Sequence, residues 1–464
     1  MHQSLVEILR CPRCKAIDEV DTENLRCNRC GAEFFELNGV PCWFPSGTVQ
    51  KALWDDLLAK FIAENDKSQE VSAASLEDLS LTPTTRLRLE KMQQVRLASQ
   101  QNMITLLKDA GLTPKLRKEF EKFDTKGFVQ YFELLLRDWG WHSLEDSSGS
   151  YREFQNENAM ALETVLTVLN EAGVSGPQSI LVIGSGAGRL SWDLHCHFSP
   201  AMTVALDFNP LLSQVAKRVV KDGDTLEFSE ARLYPHEGLP EEYRWQLKVP
   251  EGQESLRDSW HVFSADAWTM PFKEQSFDLV ITPWFLDING QDCRDLIAVV
   301  ERVLKPSGSW LNFGPFLYQN EAPQSEKYTP QEIREFLSLT KFEMLAERFA
   351  LLPYLHSPLV QRGRTEECWC FLARSSNSRE HLQFGGECNE KFDFASPPAW
   401  FVMPHLPMPK IKEGMFPQQF QNIVRYIDGT RSINQLAEIL ASSMPDGHDP
   451  YDFVYSLLGE YLVQ

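Results

Sequence analysis

The chain has 464 residues, about three times the ~150-residue soft prior for one domain, which predicts two or three folding units and a substantial core. Hydrophobic residues make up 43% and charged residues 24%, and no apolar run approaches the roughly 18 residues a membrane span needs, so a soluble globular protein is expected. The 65 acidic against 45 basic residues give a net charge of −20, which repels a phosphate backbone unless a local basic patch compensates. The start MHQSLVEILRCPRC lacks the basic, apolar, small-residue order of a secretory leader, so a cytoplasmic location is the expectation.

Ten cysteines in a small secreted protein would suggest disulfides, but four of them here form two CxxC pairs, Cys11/Cys14 and Cys27/Cys30, and the rest are scattered. Each CxxC turn lets two thiolates face one ion, and two such knuckles make a closed tetrahedral zinc site with no open position for substrate. This predicts a zinc ribbon over residues 1–46, with the ion standing in for a core that so few residues cannot build. A redox pair would need only one CxxC. Cys42 is expected to be a small buried residue, because four sulfurs already saturate the ion.

Residues 47–145 read as helical, with Phe128, Phe132, Leu135, Leu136 and Trp139 at three- and four-residue spacing, and predict a cap or lid, or helices that merely pack on the next domain. Over residues 146–375 short apolar runs alternate with helical stretches: Ser179–Ile183, Met202–Leu206, His261–Phe263, Phe277–Ile281 and Trp310–Phe313. That alternation predicts an α/β domain with a Rossmann-like, doubly wound parallel sheet. Residues 376–400 are polar, with paired Gly and paired Pro, and read as a linker. Residues 401–464 return to amphipathic helix and predict a small helical or winged-helix module.

The first apolar run ends in Gly184-Ser-Gly186-Ala-Gly188-Arg-Leu190. Glycines at such a strand-to-helix corner remove side chains so that a ligand can approach the backbone, while the next helix offers its N-terminal amides. A dinucleotide fingerprint would want its third glycine where Arg189 stands, so GxGxG fits a nucleoside cofactor without a pyrophosphate. Asp207, about twenty residues on, stands where a carboxylate accepts both ribose hydroxyls. A third element is Ser264-Ala-Asp266-Ala267-Trp268, followed by Ser276-Phe-Asp278.

This set resembles the class I S-adenosylmethionine-dependent methyltransferases. The resemblance implies that Gly184, Gly186, Gly188, Asp207, Asp266 and Ala267 bind the cofactor, Asp266 through the adenine amino group. It narrows with Arg137-Asp-Trp139, Leu233-Tyr-Pro235, Trp284-Phe-Leu-Asp287, Leu304-Lys-Pro306 and Asn312-Phe-Gly-Pro-Phe-Leu-Tyr318, which resemble the carnosine N-methyltransferase family in the same order. The family then implies that Arg137, from the cap, binds the methionine carboxylate, that Asp287 contacts the imidazole receiving the methyl group, and that Tyr354 belongs to the pocket. Chemistry agrees for Asp287: a carboxylate can accept the imidazole N–H and stabilise the imidazolium that forms. Its other reading is a helix N-cap.

Two departures matter. Where the family has a histidine after the tyrosine, Tyr318 is followed by Gln319, which can hydrogen-bond an imidazole or amide but cannot titrate near neutrality. Where the family has tyrosines, Arg364 and Glu366 stand, which points away from carnosine itself and towards a free carboxylate or a longer charged chain. The leading expectation is N-methylation of the imidazole of histidine, a histidine derivative or a histidine-containing peptide. A ribosomal-RNA or transfer-RNA base methyltransferase is the alternative, since a zinc ribbon ahead of this fold resembles some guanine methyltransferases; a binding protein on a methyltransferase fold is another. Tyr426–Ile433 resembles the peptide-binding domains of the pyrroloquinoline-quinone-biosynthesis chaperone type, which implies a peptide or protein partner there; a plain packing module is the competing reading. His195 and His197 sit at i and i+2 of one helix, on different faces, and are not expected to hold a metal.

Overall fold

The computed structural model describes residues 2–121, 123, 125–129, 131–141, 156–232, 238–250, 252–287, 292–318, 324–359, 363–375, 421–424, 426–427, 430–441 and 449–461. Gln319, the Leu233–Pro235 stretch and the linker 376–400 lie outside them.

Ahead of the sheet come α1 (Gln3–Glu7), the ribbon strands β1 (Val20–Asp21), β2 (Arg26–Cys27), β3 (Phe35–Leu37) and β4 (Val40–Cys42), and the cap helices α2 (Gly47–Leu76), α3 (Pro83–Asp109), α4 (Lys126–Val129) and α5 (Phe132–Trp139). The α/β part then runs α6 (Glu157–Glu171), β5 (Ser179–Ile183), α7 (Arg189–Phe198), β6 (Met202–Asp207), α8 (Pro210–Ala216), β7 (Leu226–Arg232), β8 (Glu241–Leu247), β9 (Trp260–Ser264), β10 (Phe277–Pro283), α9 (Cys293–Val303), β11 (Leu304–Gly314), α10 (Pro330–Ser338), β12 (Phe342–Tyr354) and β13 (Arg364–Ser375). Three short helices follow, Gln421–Val424, Ile433–Leu440 and Pro450–Tyr461. Those helices are the only regular elements among the described residues of the C-terminal module.

One nine-stranded sheet dominates, in the order β12-β13-β11-β10-β5-β6-β9-β4-β3. Its central strands β11, β10, β5, β6 and β9 are parallel, and β13 runs antiparallel between β11 and β12. This is a Rossmann-like, doubly wound sheet. Every residue of β5, β6 and β9 is buried, as expected of parallel strands covered on both faces. The chain order reverses at β5, which has β6 on one side and β10 on the other. In open sheets of this kind ligands bind at that reversal, outside the carboxyl ends of the strands.

Two edges of the sheet differ from the sequence expectation. On one side the ribbon is not a separate bead: β4 joins the sheet beside β9, with Cys42 opposite Ser264 and the Trp43 N–H donating to the Ser264 carbonyl at 2.9 Å. Leu5, Leu9, Phe34 and Trp43 share one core with Leu181, Phe263 and Phe272. On the other side β12 and β13 form a long antiparallel pair from Phe342–Ser375 to Tyr354–Arg364. The β7–β8 hairpin forms a separate small sheet, and its buried Glu230 accepts from the indoles of Trp141 and Trp245. No helix among the described residues is long and apolar enough to cross a membrane.

The C-terminal helices close back onto the ribbon. Arg13, between the two cysteines of the first knuckle, donates from both terminal nitrogens to Asp449 at 2.7 and 2.5 Å, and its guanidinium lies 4.3 Å over the Tyr451 ring. Ser46, the N-cap of α2, donates to Asp452. A two-point ion pair with both side chains largely covered is worth about 1 to 3 kcal/mol. Asp449→Asn is therefore expected to weaken amide hydrogen-exchange protection in helix Pro450–Tyr461 by roughly tenfold while leaving β5 and β6 unchanged. Equal protection in variant and wild type would show that the pair holds nothing.

Candidate active site

The four ribbon sulfurs lie within 4.8 Å of one another, with Cys11–Cys30 and Cys14–Cys27 Sγ separations of 3.7 Å and no disulfide. A tetrahedron of ~2.3 Å zinc–sulfur bonds has edges of about 3.8 Å, so the donor set fits a structural zinc ion. Cys42 is fully buried and its thiol donates to the Val40 carbonyl, away from that set. His195 is likewise buried in ordinary contacts, with Thr203 and the Leu256 carbonyl.

The second cluster is built on the carboxyl ends of the strands. Gly184, Gly186 and Gly188 follow β5 with φ of +71°, +59° and +90°, a left-handed backbone that side chains resist. At Gly184 the packing adds a second reason, since a Cβ would lie 2.6 Å from Cδ2 of Phe285. Gly188 caps α7. The cap docks on this corner through α5: Trp139 is fully buried and its indole N–H donates to the Ala187 carbonyl at 2.8 Å, and Arg189 donates to the Asp138 carbonyl at 3.0 Å. Asp138 also pairs with Arg137 at 2.8 Å.

Asp207 ends β6 and is 8% exposed. One of its oxygens accepts the Gly186 N–H and the other the Asn209 N–H, each at 2.8 Å, while burial pushes its carboxyl up to about 6. Asp266 follows β9, accepts from the Trp268 N–H and the Thr269 hydroxyl, and burial pushes it up to about 7. Ala267 beside it is buried. Sequence reasoning missed that the C-terminal helix comes here too. Tyr451 and Tyr455 lie within the electrostatic reach of Asp266, and the Tyr451 hydroxyl is buried without a hydrogen-bond partner among the described residues.

A few residues further along the same edge, beyond β10, sits Asp287, only 3% exposed. Its Oδ2 accepts the Leu317 N–H at 2.7 Å, whereas Oδ1 is buried with no partner among the described residues. Burial pushes this carboxyl up to about 6. It is not a helix cap: Asp292 fills that position for α9. Asp287 lies within electrostatic reach of Glu366 and Arg364, of which Glu366 accepts from the Trp284 indole and Arg364 lies over the Tyr354 ring. The Trp284 and Tyr354 ring centroids are 5.7 Å apart, and Arg137 lies 5.4 and 5.7 Å from them. Burial pushes the Tyr354 phenol up to about 12, so it stays a protonated donor. The Tyr318 hydroxyl is turned to the Tyr328 carbonyl at 2.9 Å. Sequence reasoning also missed Glu366 as a buried anchor: its oxygens accept from the Trp284 indole and from Arg364. No local spacing signals it, because Glu366 is placed by its register opposite Leu352 across the hairpin.

Residues 247–371 match the model of the family described as carnosine N-methyltransferase. Over this stretch the chain is similar to the carnosine N-methyltransferases. The carnosine N-methyltransferase of Rattus norvegicus is 22% identical over 329 residues, 63% of this chain and 76% of that protein. That of Dictyostelium discoideum is 29% identical over 100 residues, which span only 21% of either chain. Among solved structures, a SAM-dependent methyltransferase from Methanosarcina mazei covers 44% of this chain and 94% of its own at 16% identity, with a TM-score of 0.30. The carnosine N-methyltransferase match runs from before β9 into β13 and so contains Asp266, Asp287, Tyr354, Arg364 and Glu366; the glycine corner and Asp207 lie before it.

Proposed function

We propose that this protein is an S-adenosylmethionine-dependent N-methyltransferase whose acceptor is the imidazole of a small histidine-type compound. The observation that carries the reading is Asp287: a buried carboxylate with one oxygen fixed by a backbone amide and the other lacking a partner among the described residues, within electrostatic reach of Arg364 and Glu366.

The donor fits the residues present. Left-handed glycines keep the corner clear of side chains, Asp207 and Asp266 offer carboxylates at the ends of adjacent strands, and Arg137 offers a buried cation for a carboxylate. When bound there, S-adenosylmethionine supplies an electrophilic methyl group on a sulfonium. Everything else is positioning and charge, because an in-line displacement asks the protein to align the nucleophile and exclude water. Asp287 Oδ1 accepts the N–H of one imidazole nitrogen, which leaves the lone pair of the other nitrogen free to attack. Transfer would form the nitrogen–methyl bond as the methyl–sulfur bond breaks with its electron pair left on sulfur, and the remaining ring N–H proton would leave through Asp287 to solvent. Positive charge then builds on the ring, and the Asp287 carboxylate faces it in a site of low dielectric. Trp284 and Tyr354 present π faces to the same charge. Gln319 is the residue we assign to a second hydrogen bond on the acceptor, in place of a titrating histidine.

The family match favours this reading over base methylation of RNA, and the net charge of −20 points the same way. The test is incubation with labelled S-adenosylmethionine and a panel of histidine, histidine dipeptides, histidine-containing peptides and transfer RNA, read by mass spectrometry. A methyl group on a ring nitrogen of at least one imidazole compound is expected. Methylation confined to nucleic acid would overturn the assignment.

A further inference from the structure

We propose that the junction between the ribbon and the sheet holds a binding site for a phosphate-type anion, with Arg10, Lys15 and Arg302 as its ligands. A cavity of about 210 Å³ opens there, lined by Arg10, Arg13, Lys15 and Arg302 and by Trp268 and Thr269, with no acidic side chain in its lining among the described residues. Arg10 and Lys15 flank the first cysteine knuckle, and Arg302 stands in the last turn of α9. Trp268 and Thr269 belong to the turn that fixes Asp266. The ribbon is tied to the end of that turn by the Arg10 N–H, which donates to the Pro271 carbonyl at 2.9 Å.

In a chain of net charge −20, four cations around one hollow reverse the general character of the surface. Arg13 is committed elsewhere, through both terminal nitrogens, to Asp449. Arg302 donates to the Phe272 and Met270 carbonyls, which are neutral, and burial followed by the nearby Arg10 pulls it down to about 9. The Arg10 Nε is buried with no hydrogen-bond partner among the described residues, and Lys15 faces both Arg10 and Arg302. The thiolate of Cys11 acts on Arg10 and that of Cys30 on Arg13, while the exposed Glu274 acts on Arg10 and Arg302 without forming an ion pair with either among the described residues. Like charges held together repel, and a bound anion relieves that repulsion while accepting charge-assisted hydrogen bonds. Three cations from three positions suit the several oxygens of a phosphate better than the flat, two-oxygen face of a carboxylate. The size agrees: the cavity exceeds the ~30 Å³ share of one water and falls short of the roughly 300 to 1,000 Å³ that takes a drug-sized ligand, so it fits a phosphate group and not a whole nucleotide. That group is free phosphate or the phosphoryl end of a small monoester.

The test is calorimetry on the zinc-loaded full chain, titrated with inorganic phosphate or with O-phosphoserine at an ionic strength held constant with chloride, with and without S-adenosylhomocysteine. Saturable binding of at least one of the two is expected, together with a rise in Tm as it replaces chloride. Binding of inorganic phosphate alone would identify the free ion as ligand, and equal or tighter binding of the ester would identify a phosphoryl group on a larger molecule. Lys15→Gln and Arg10→Gln are each expected to weaken binding by roughly tenfold, with zinc content and Tm in chloride unchanged. No saturable binding, or binding that survives both substitutions unaltered, would overturn the site. Binding that S-adenosylhomocysteine abolishes would place the anion in the cofactor crevice and overturn it as well.

Discussion

Asp287→Asn is expected to lower kcat by about 10³-fold while S-adenosylhomocysteine binds as before. Asparagine keeps the size of the side chain and an oxygen for the Leu317 N–H, so the local backbone is retained. What it removes is the negative charge facing the ring nitrogen, and it puts an N–H₂ donor where Oδ1 now accepts, so the acceptor's tautomer is no longer selected. Losing a correctly placed acid or base typically costs about 10² to 10⁴ in rate. The pH profile carries the same signature. Burial pushes the Asp287 carboxyl up to about 6, and only its charged form can do this work, so kcat at saturating donor falls about tenfold per unit below that value. The variant should lack this limb. For stability the sign is opposite: a carboxyl raised in the folded state binds more protons folded than unfolded, so its contribution is full below its unfolded value of 3.8 and is lost as pH rises through about 6. Asp287→Asn should therefore melt at the same temperature as wild type or higher at pH 7 to 8. A variant with unchanged turnover, or one that melts early, would contradict this account.

Removing the ribbon ion is expected to have the largest effect on stability. Wild-type protein should carry one zinc per chain, released quantitatively by a chelator under thiol modification, and Cys27→Ser should carry less. Structural zinc sites in small peptides supply about 10 to 16 kcal/mol of binding energy that is spent on folding. Here even a loss of about 3 to 5 kcal/mol would lower Tm by roughly 3 to 5 °C. The loss spreads beyond residues 1–46, because Leu9, Phe34 and Trp43 pack into the sheet core and β4 covers the outer side of β9. An apo protein that melts at the wild-type temperature would mean the four sulfurs hold no structural ion.

What was legible in the sequence was local. The CxxC spacing, the glycine corner and the buried runs of β5, β6 and β10 each lie within a few residues, and their periodicity survives in the structure. What was not legible is non-local or only half-buried. β12 exposes much of its length, so it offers no apolar run, and its partner β13 is recognised only through the register that joins them. β4 is three residues long and enters the sheet through a single partner, Ser264. The pocket follows the same division. Asp287 stands in the Trp284-Phe-Leu-Asp287 stretch that the family resemblance singles out, but the hydrogen bond tying Glu366 to Trp284 spans 82 positions. Arg13 and Asp449 are 436 positions apart, and no spacing rule connects them.

That last distance bears on how the molecule comes to exist. During synthesis the knuckle leaves the ribosome hundreds of residues before the helix that will sit on it, so the guanidinium of Arg13 must wait, solvated, while the whole sheet is made. Contacts of such separation are the slowest to form, because the intervening chain must be ordered before its ends are held close. Docking of helix Pro450–Tyr461 is therefore expected to be the final event of maturation, and one that brings Tyr451 and Tyr455 to Asp266 only after everything beneath them has set.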